Sequence, residues 1–301
     1  MSTRTAPRYS TRELQAAAAA LAAGRFTPTT SRIETTAAAA EECTHPVRDA
    51  VEGSIVATRL PIATSTASTG SAPLVRVRAA NAGAGASTIA LALADVADVA
   101  GIRTRVLDAA APAWSGLLGA TVTELGAAEG WRRGRRGDGV LLDRVEESIR
   151  VPAEVPSPRT VDGVDLTVLD AGWSMRELAA ATDAWVATTL AQVEVLVTRP
   201  HGLALSQIEA ALAHLEDQLA GDQVVVVVVG ASRWSDREFA TAGRLLRTAH
   251  QQDAVLFAPL LPAKALPGLG PDPLPKQLTS PSQRLLERIT TITGPLTANR
   301  T

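Results

Sequence analysis

From Leu74 onward the apolar positions fall into short runs separated by segments of helical period. Leu74–Ala80 (LVRVRAA) alternates as a strand does, and Ile102–Asp108 (IRTRVLD) reads as a second strand ending on an acid. Leu166–Asp170, Val193–Thr198, Val224–Val229 and Ala254–Ala258 are further strands, several of them continuous runs of β-branched residues, as expected where both sheet faces are covered. Between them Thr88–Ala100, Ser174–Leu190, Ala204–Leu219 and Asp236–His250 carry helical periodicity. Strands alternating with helices of this length predict an α/β fold: three layers, a mostly parallel sheet with helices on both faces.

Other stretches read less sharply. Val140–Pro158 fits either an amphipathic helix or a hairpin interrupted by Pro152 and Pro156. Pro259–Pro281 is proline-rich and predicts an extended loop, and Ser282–Ile292 an amphipathic closing helix. Ahead of the sheet, Thr11–Ala23 and Ser31–Glu42 predict helices opened by Thr or Ser caps. The small, polar, aperiodic stretch Pro61–Pro73 predicts a linker. The expected organisation is a flexible, partly helical extension over 1–72, a folded domain over 73–293 and a tail over 294–301.

Composition narrows the function classes. The 301 residues carry a net charge of −2, so no global basic field recruits nucleic acid or anionic membrane. Cys43 is the single cysteine, which excludes an intramolecular disulfide and argues against a cysteine-based zinc site. The longest apolar runs, Ala16–Ala23 and Val224–Ala231, are far below the ~20 residues of a membrane span. With no signal-peptide pattern, the expectation is a cytoplasmic protein without a transmembrane segment. The chain has two lysines, Lys264 and Lys276, both late in the sequence.

The candidate chemistry lies in Asn81-Ala82-Gly83-Ala84-Gly85-Ala86-Ser87-Thr88, between the first strand and a helix. There the backbone N–H groups of a small-residue turn and of a helix N-terminus can cradle phosphate. The P-loop pattern G-x-x-x-x-G-K-[ST] places a lysine where this chain has Ala86, while the hydroxyl survives as Ser87.

This turn resembles the deviant Walker A motif of the ParA/MinD family of P-loop ATPases, K-G-G-x-G-K-[ST]-[ST]. Asn81 stands at the signature lysine, Ala82 at the first glycine, and Gly83, Gly85, Ser87 and Thr88 match. RVLDAAAP resembles the family's D-x-D-P segment, with Asp108 kept and Ala110 at the second acid. VLDAG, with Asp170, resembles the Walker B region, and VLVTRPHGLALSQIEAAL the later strand–loop–helix with its Thr198-Arg199-Pro200 turn. The resemblance spans Leu74 to Ile292 and implies a P-loop NTPase-like fold binding ATP or ADP with Mg2+. It implies nucleotide contacts from Gly83, Ala84, Gly85, Ala86, Ser87 and Thr88, metal contacts from Ser87 and Asp170, and Asp108 as the catalytic candidate. It also implies a nucleotide-switched homodimer with protein partners or non-specific DNA.

The departures fall on the chemistry. A phosphate-binding lysine contributes a charge-assisted hydrogen bond of about 1.5–3 kcal/mol, and more as charge develops in the transition state. With both family lysines absent, the sequence predicts a degenerate nucleotide site in a sensing, scaffold or partner-binding component, catalytically impaired. The alternatives are a weakly active Mg-ATPase in partitioning or positioning, a retained fold with an empty site, and a dinucleotide-binding Rossmann-like protein. In the last, G-x-G-x-x-G runs Gly83, Gly85, Thr88 and lacks its third glycine, and Asp108 would meet a ribose.

Trp131–Arg136 (WRRGRR) is the densest basic cluster. Arg132, Arg133, Arg135 and Arg136 are candidates for a partner or nucleic-acid contact, against a solvated loop balanced by Asp138, Asp143, Glu146 and Glu147. Gly172-Trp173-Ser174-Met175-Arg176 superficially matches a nucleophile elbow, but a helix cap explains Ser174 better. The four histidines show no zinc-ligand spacing. Trp114, Trp173, Trp185 and Trp234 are expected in core or rim packing.

Overall fold

The computed structural model describes residues 72–261 and 268–296. The expected helices Thr11–Ala23 and Ser31–Glu42, almost all of the linker, and part of the C-terminal tail lie outside the described residues.

A β-branched, apolar strand disfavours helix and loses nothing by burial on both faces. The hexavaline β8 (Val224–Val229) shows this most plainly, being buried throughout. With β1 (Leu74–Ala79), β2 (Thr104–Asp108), β6 (Leu166–Asp170), β7 (Val193–Thr198) and β9 (Val255–Ala258) it forms the parallel body of one sheet. Three strands extend one edge: β3 (Thr123–Ala128), β4 (Trp131–Arg136) and β5 (Val140–Val145). The order is β3-β4-β5-β2-β6-β1-β7-β8-β9, with β5 parallel to β2 and β4 antiparallel to both β3 and β5.

One of the three edge strands corrects the sequence reading, and a second decides between its two alternatives. WRRGRR is a strand rather than a loop, and the Val140 segment opens as its hairpin partner rather than as a helix. The signals were turns. Glu129 and Gly130 both take positive φ between the paired Ala128 and Trp131, the backbone of a two-residue hairpin. Gly137-Asp138-Gly139 makes the second turn, held by Asp98, whose carboxylate accepts the N–H groups of Gly139 at 2.6 Å and Asp138 at 3.2 Å. β3 is exposed at every position, so no buried apolar stripe marks it.

Helix α1 (Ala86–Val99) follows β1 and buries Ile89, Leu91 and Leu93. It lies with α8 (Thr279–Thr293) on one sheet face, where Leu285, Leu286 and Ile289 meet Val75, Val77, Val195 and Val197. The other face is covered in two parts. The first is α2 (Met175–Ala180) with α3 (Trp185–Thr188), packing Leu178 and Val186 on Leu107 and Leu169. The second comprises α4 (Gly202–Ala213), α5 (Glu216–Ala220), α6 (Asp236–Ala240) and α7 (Arg244–Gln251), packed on Leu196 and the even-numbered valines of β8. Each of the three long helices expected after β6, β7 and β8 is thus two shorter ones. The fold is the expected three-layer, mostly parallel α/β sheet. Among the described residues, no helix is long and apolar enough to cross a membrane.

Candidate functional site

The chain leaves β1 toward β2 on one side and, later, toward β7 on the other, so the carboxyl end of β1 lies where strand order reverses. Open parallel sheets hold ligands at such crevices. The turn there is tied down from β7: Ala80 N–H donates to Val197 O at 2.9 Å. The Thr198 hydroxyl donates to Asn81 Oδ1 at 3.0 Å. Gly83 (φ 67°) and Gly85 (φ 100°) take backbone conformations that side chains resist, and Gly85 is the N-cap of α1 without a side-chain cap. The first N–H groups of α1 therefore have no intrahelical partner, which is the arrangement an anion completes. Arg199 reaches over the turn and donates from Nη2 and Nε to Gly83 O at 2.8 and 3.1 Å. The sequence contained this residue in its Thr198-Arg199-Pro200 turn, but nothing in it told where the guanidinium goes.

Two carboxylates close the floor. Asp108 and Asp170 end the adjacent strands β2 and β6, directly opposite one another, and both are buried. Asp108 accepts the Ser115 hydroxyl and the Ala110 N–H. The Ser87 hydroxyl and the Gly172 N–H beside Asp170 pull its carboxyl down. Its Oδ2 is buried and has no hydrogen-bond partner. Burial pushes the Asp108 carboxyl up to about 6, against the opposing pull of Ser115, Ala110 N–H and Arg144. Burial first, and then the Asp108 charge, push Asp170 up to about 7. An orphaned carboxylate oxygen beside a hydroxyl under a phosphate-type turn fits a hard divalent cation. Among the described residues no group of three or more His, Cys, Asp or Glu side chains is placed to hold a metal, so protein ligands alone do not make a full coordination sphere. Mg2+ ordinarily keeps waters and phosphate oxygens beside one or two protein ligands.

Above the turn lies a cleft of about 1130 Å3, lined by residues 79–88 and Asp170, with Trp114, Trp173 and Leu269 among its apolar walls. Ala86 and Ala110 stand where the resemblance implies a lysine and a second acid, and both are buried. Arg176 is the one arginine lining this cleft. Of the residues implied for nucleotide and metal, Gly83 through Thr88 and Asp170 all line it together. Asp108 is not a wall of the cleft; its carboxylate is engaged beneath it.

The remaining candidates separate. Ser174 is the N-cap of α2 in a full capping box with Glu177, which accounts for its hydroxyl. Trp114 is 85% exposed, correcting the expectation of core or rim packing for that residue. Trp173 and Trp185 instead pack partly buried, with indole N–H groups donating to Ala109 O and Val155 O, both at 2.8 Å. On β4 the basic residues do not share one free face. Arg136 is 2% exposed and paired with Asp95 at 2.7 Å, and Arg133 is paired with Asp143 at 2.6 Å. Arg132, paired with Glu146, and Arg135 are the exposed ones.

No protein-family model and no curated protein matches the chain. Solved structures do. It is similar to MinD and ParA-family ATPases. The cell division ATPase MinD of Pyrococcus furiosus is 19% identical, with a TM-score of 0.49 over 74% of this chain and 100% of that one. MinD of Pyrococcus horikoshii, complexed with Mg-ADP, is 15% identical, with a TM-score of 0.49 over 75% and 99%. A ParA family ATPase of Chlorobium tepidum is 12% identical, with a TM-score of 0.45 over 72% and 99%.

Proposed function

We propose that residues 73–293 form a ParA/MinD-like domain that binds ATP or ADP with Mg2+ at a degenerate P-loop. It serves as a nucleotide-sensing or partner-binding component rather than as an efficient ATPase. The observation that carries this reading is the buried, unpartnered Asp170 Oδ2 beneath the glycine turn, in the same cleft as Ser87. Ser87 and Asp170 would hold the metal, and Mg2+ when bound neutralises phosphate charge. The backbone N–H groups at the start of α1 orient the phosphates. Ala86 brings no ammonium to them, which supports binding without effective transition-state stabilisation. Partners follow as for the family resemblance: a second copy, other proteins, or DNA met non-specifically through the exposed Arg132 and Arg135.

Calorimetry of the full chain with MgATP and MgADP tests this, alongside phosphate release. Binding that Asp170→Ala weakens, with negligible turnover, supports the reading. Magnesium-dependent phosphate release at sustained rates, abolished by Asp170→Ala, would make the protein a working ATPase. Absence of binding in both wild type and Ala86→Lys would remove the P-loop reading.

A further inference from the structure

Between the two helix groups that share one face of the sheet, β1 breaks the apolar pattern of its neighbours. Val75 and Val77 pack against α1 and α8, so the alternate positions, Arg76 and Arg78, face the other way. They are 4% and 7% exposed, and Glu194 of β7, in register with Arg76, is 1% exposed. Two guanidinium groups thus share one carboxylate.

Arg76 is fully engaged. Its Nη2 and Nε donate to Glu194 Oε1 at 2.5 and 3.0 Å, and its Nη1 donates to the carbonyls of Val186 and Ala187 at 3.0 and 3.1 Å. Arg78 is not. Its Nη2 donates to the same Oε1 at 3.1 Å. Its Nε lies 3.0 Å from Oε2, but it is buried with no hydrogen-bond partner. The side chain borders a cavity of about 370 Å3 whose polar lining also includes Thr188, Thr189, His214 and Gln218. Glu194 is the one carboxylate lining it, so the cavity carries an excess positive charge. Two guanidinium groups buried on one carboxylate leave one positive charge unbalanced, which an anion offsets.

A second cluster of the same composition is hydrogen-bonded differently. Arg105 and Arg133 share Asp143, but there Arg105 Nε donates to Asp143 at 2.7 Å and its Nη1 to Arg159 O at 2.5 Å. Arg133 holds the same carboxylate with two hydrogen bonds of 2.6 and 2.7 Å. There Arg133 forks onto both oxygens of Asp143 and Arg105 has an acceptor at Nε and at Nη1, whereas Arg78 has one hydrogen bond besides its ion pair.

We propose that the cavity over Arg78 is a binding site for a small oxyanion, of phosphate or carboxylate type, that balances the second of the two guanidinium groups sharing Glu194. Thr189 and Gln218 stand at its wall as neutral hydrogen-bonding groups. The site is separate from the P-loop, and the proposal does not rest on nucleotide binding. Met175, Ala179 and His214 line both cavities, so an ion here lies one layer of side chains from the cleft.

The test is thermal unfolding of the full chain in sodium phosphate and in sodium acetate, each against sodium chloride at constant ionic strength. The ε-methyl of Met175 serves as an NMR reporter. Met1 is the one other methionine, so assignment is direct. Saturable stabilisation with a matching Met175 shift is expected from phosphate, acetate or both, and the arm that responds identifies the anion. Arg78→Leu should abolish the response. If that variant fails to fold, Arg78→Lys, which keeps the charge but loses the fork, should weaken binding at least tenfold. No response beyond chloride in the wild type, or an unchanged affinity in either Arg78 variant, overturns the proposal.

Discussion

Asp108 and Asp170 face each other across adjacent parallel strands, each buried, each with its carboxyl raised. Buried like charges in contact resist simultaneous ionisation, so the pair holds a proton that an unfolded chain would have released. The sign of the stability effect follows. Between about 4, the ordinary carboxylate range, and about 6 and 7, where these two groups titrate, the native state binds more protons than the unfolded state. Stability contributed by this pair is therefore present at the acid end of that window and lost as pH rises through it. Urea denaturation of the metal-free protein from pH 5 to pH 8 should show this decline, and Asp170→Asn should flatten it. An equal slope in the variant would show that the pair is not responsible.

Ala86→Lys places an ammonium beside the turn. If the phosphates lie on the α1 N-terminus, MgATP should bind roughly 10- to 150-fold more tightly, the equivalent of one charge-assisted hydrogen bond of about 1.5–3 kcal/mol. Calorimetry with wild type and variant in the same buffer measures the ratio directly. An unchanged ratio would place the phosphates elsewhere.

Glu194→Gln removes the carboxylate that two buried arginines share. Breaking a buried ion pair by removing one partner typically costs about 3–5 kcal/mol, because the remaining charge stays buried without compensation. A urea midpoint falling accordingly is expected, with the loss partly recovered in the Arg78→Met/Glu194→Gln double variant. Additive losses would mean that Arg78 and Glu194 are not coupled.

Ser174→Ala removes the hydroxyl that caps α2 and accepts the Glu177 N–H at 3.3 Å. A cost of about 1 kcal/mol is expected in equilibrium unfolding. A nucleophile would behave differently: loss of a covalent adduct with an acylating reagent such as a fluorophosphonate, which the wild type should not form.

The parallel body of the sheet was legible along the chain because its signals are local. A run such as Val224–Val229 cannot hide its preference for a strand buried on both faces, and the turn at Gly83 and Gly85 announces a backbone that other residues resist. The edge was not legible. β3 is wholly exposed and β4 is mostly arginine, so what makes them strands is pairing with β5 rather than any pattern of their own. Each helix expected after β6, β7 and β8 is divided in two for a related reason: periodicity marks the buried face but not the breaks near Ala181, His214 and Thr241.

Sequence alone determined the fold class, the place of the glycine turn after β1 and the side chains around it, Ala86, Ser87 and Asp170. Only the tertiary structure decided which charges meet. Arg76 and Arg78 lie about 118 residues from Glu194, and Arg199 a similar distance from Gly83. Local propensity acts over a few residues, whereas electrostatic pairing depends on distance in space, and the folded sheet alone brings these groups together.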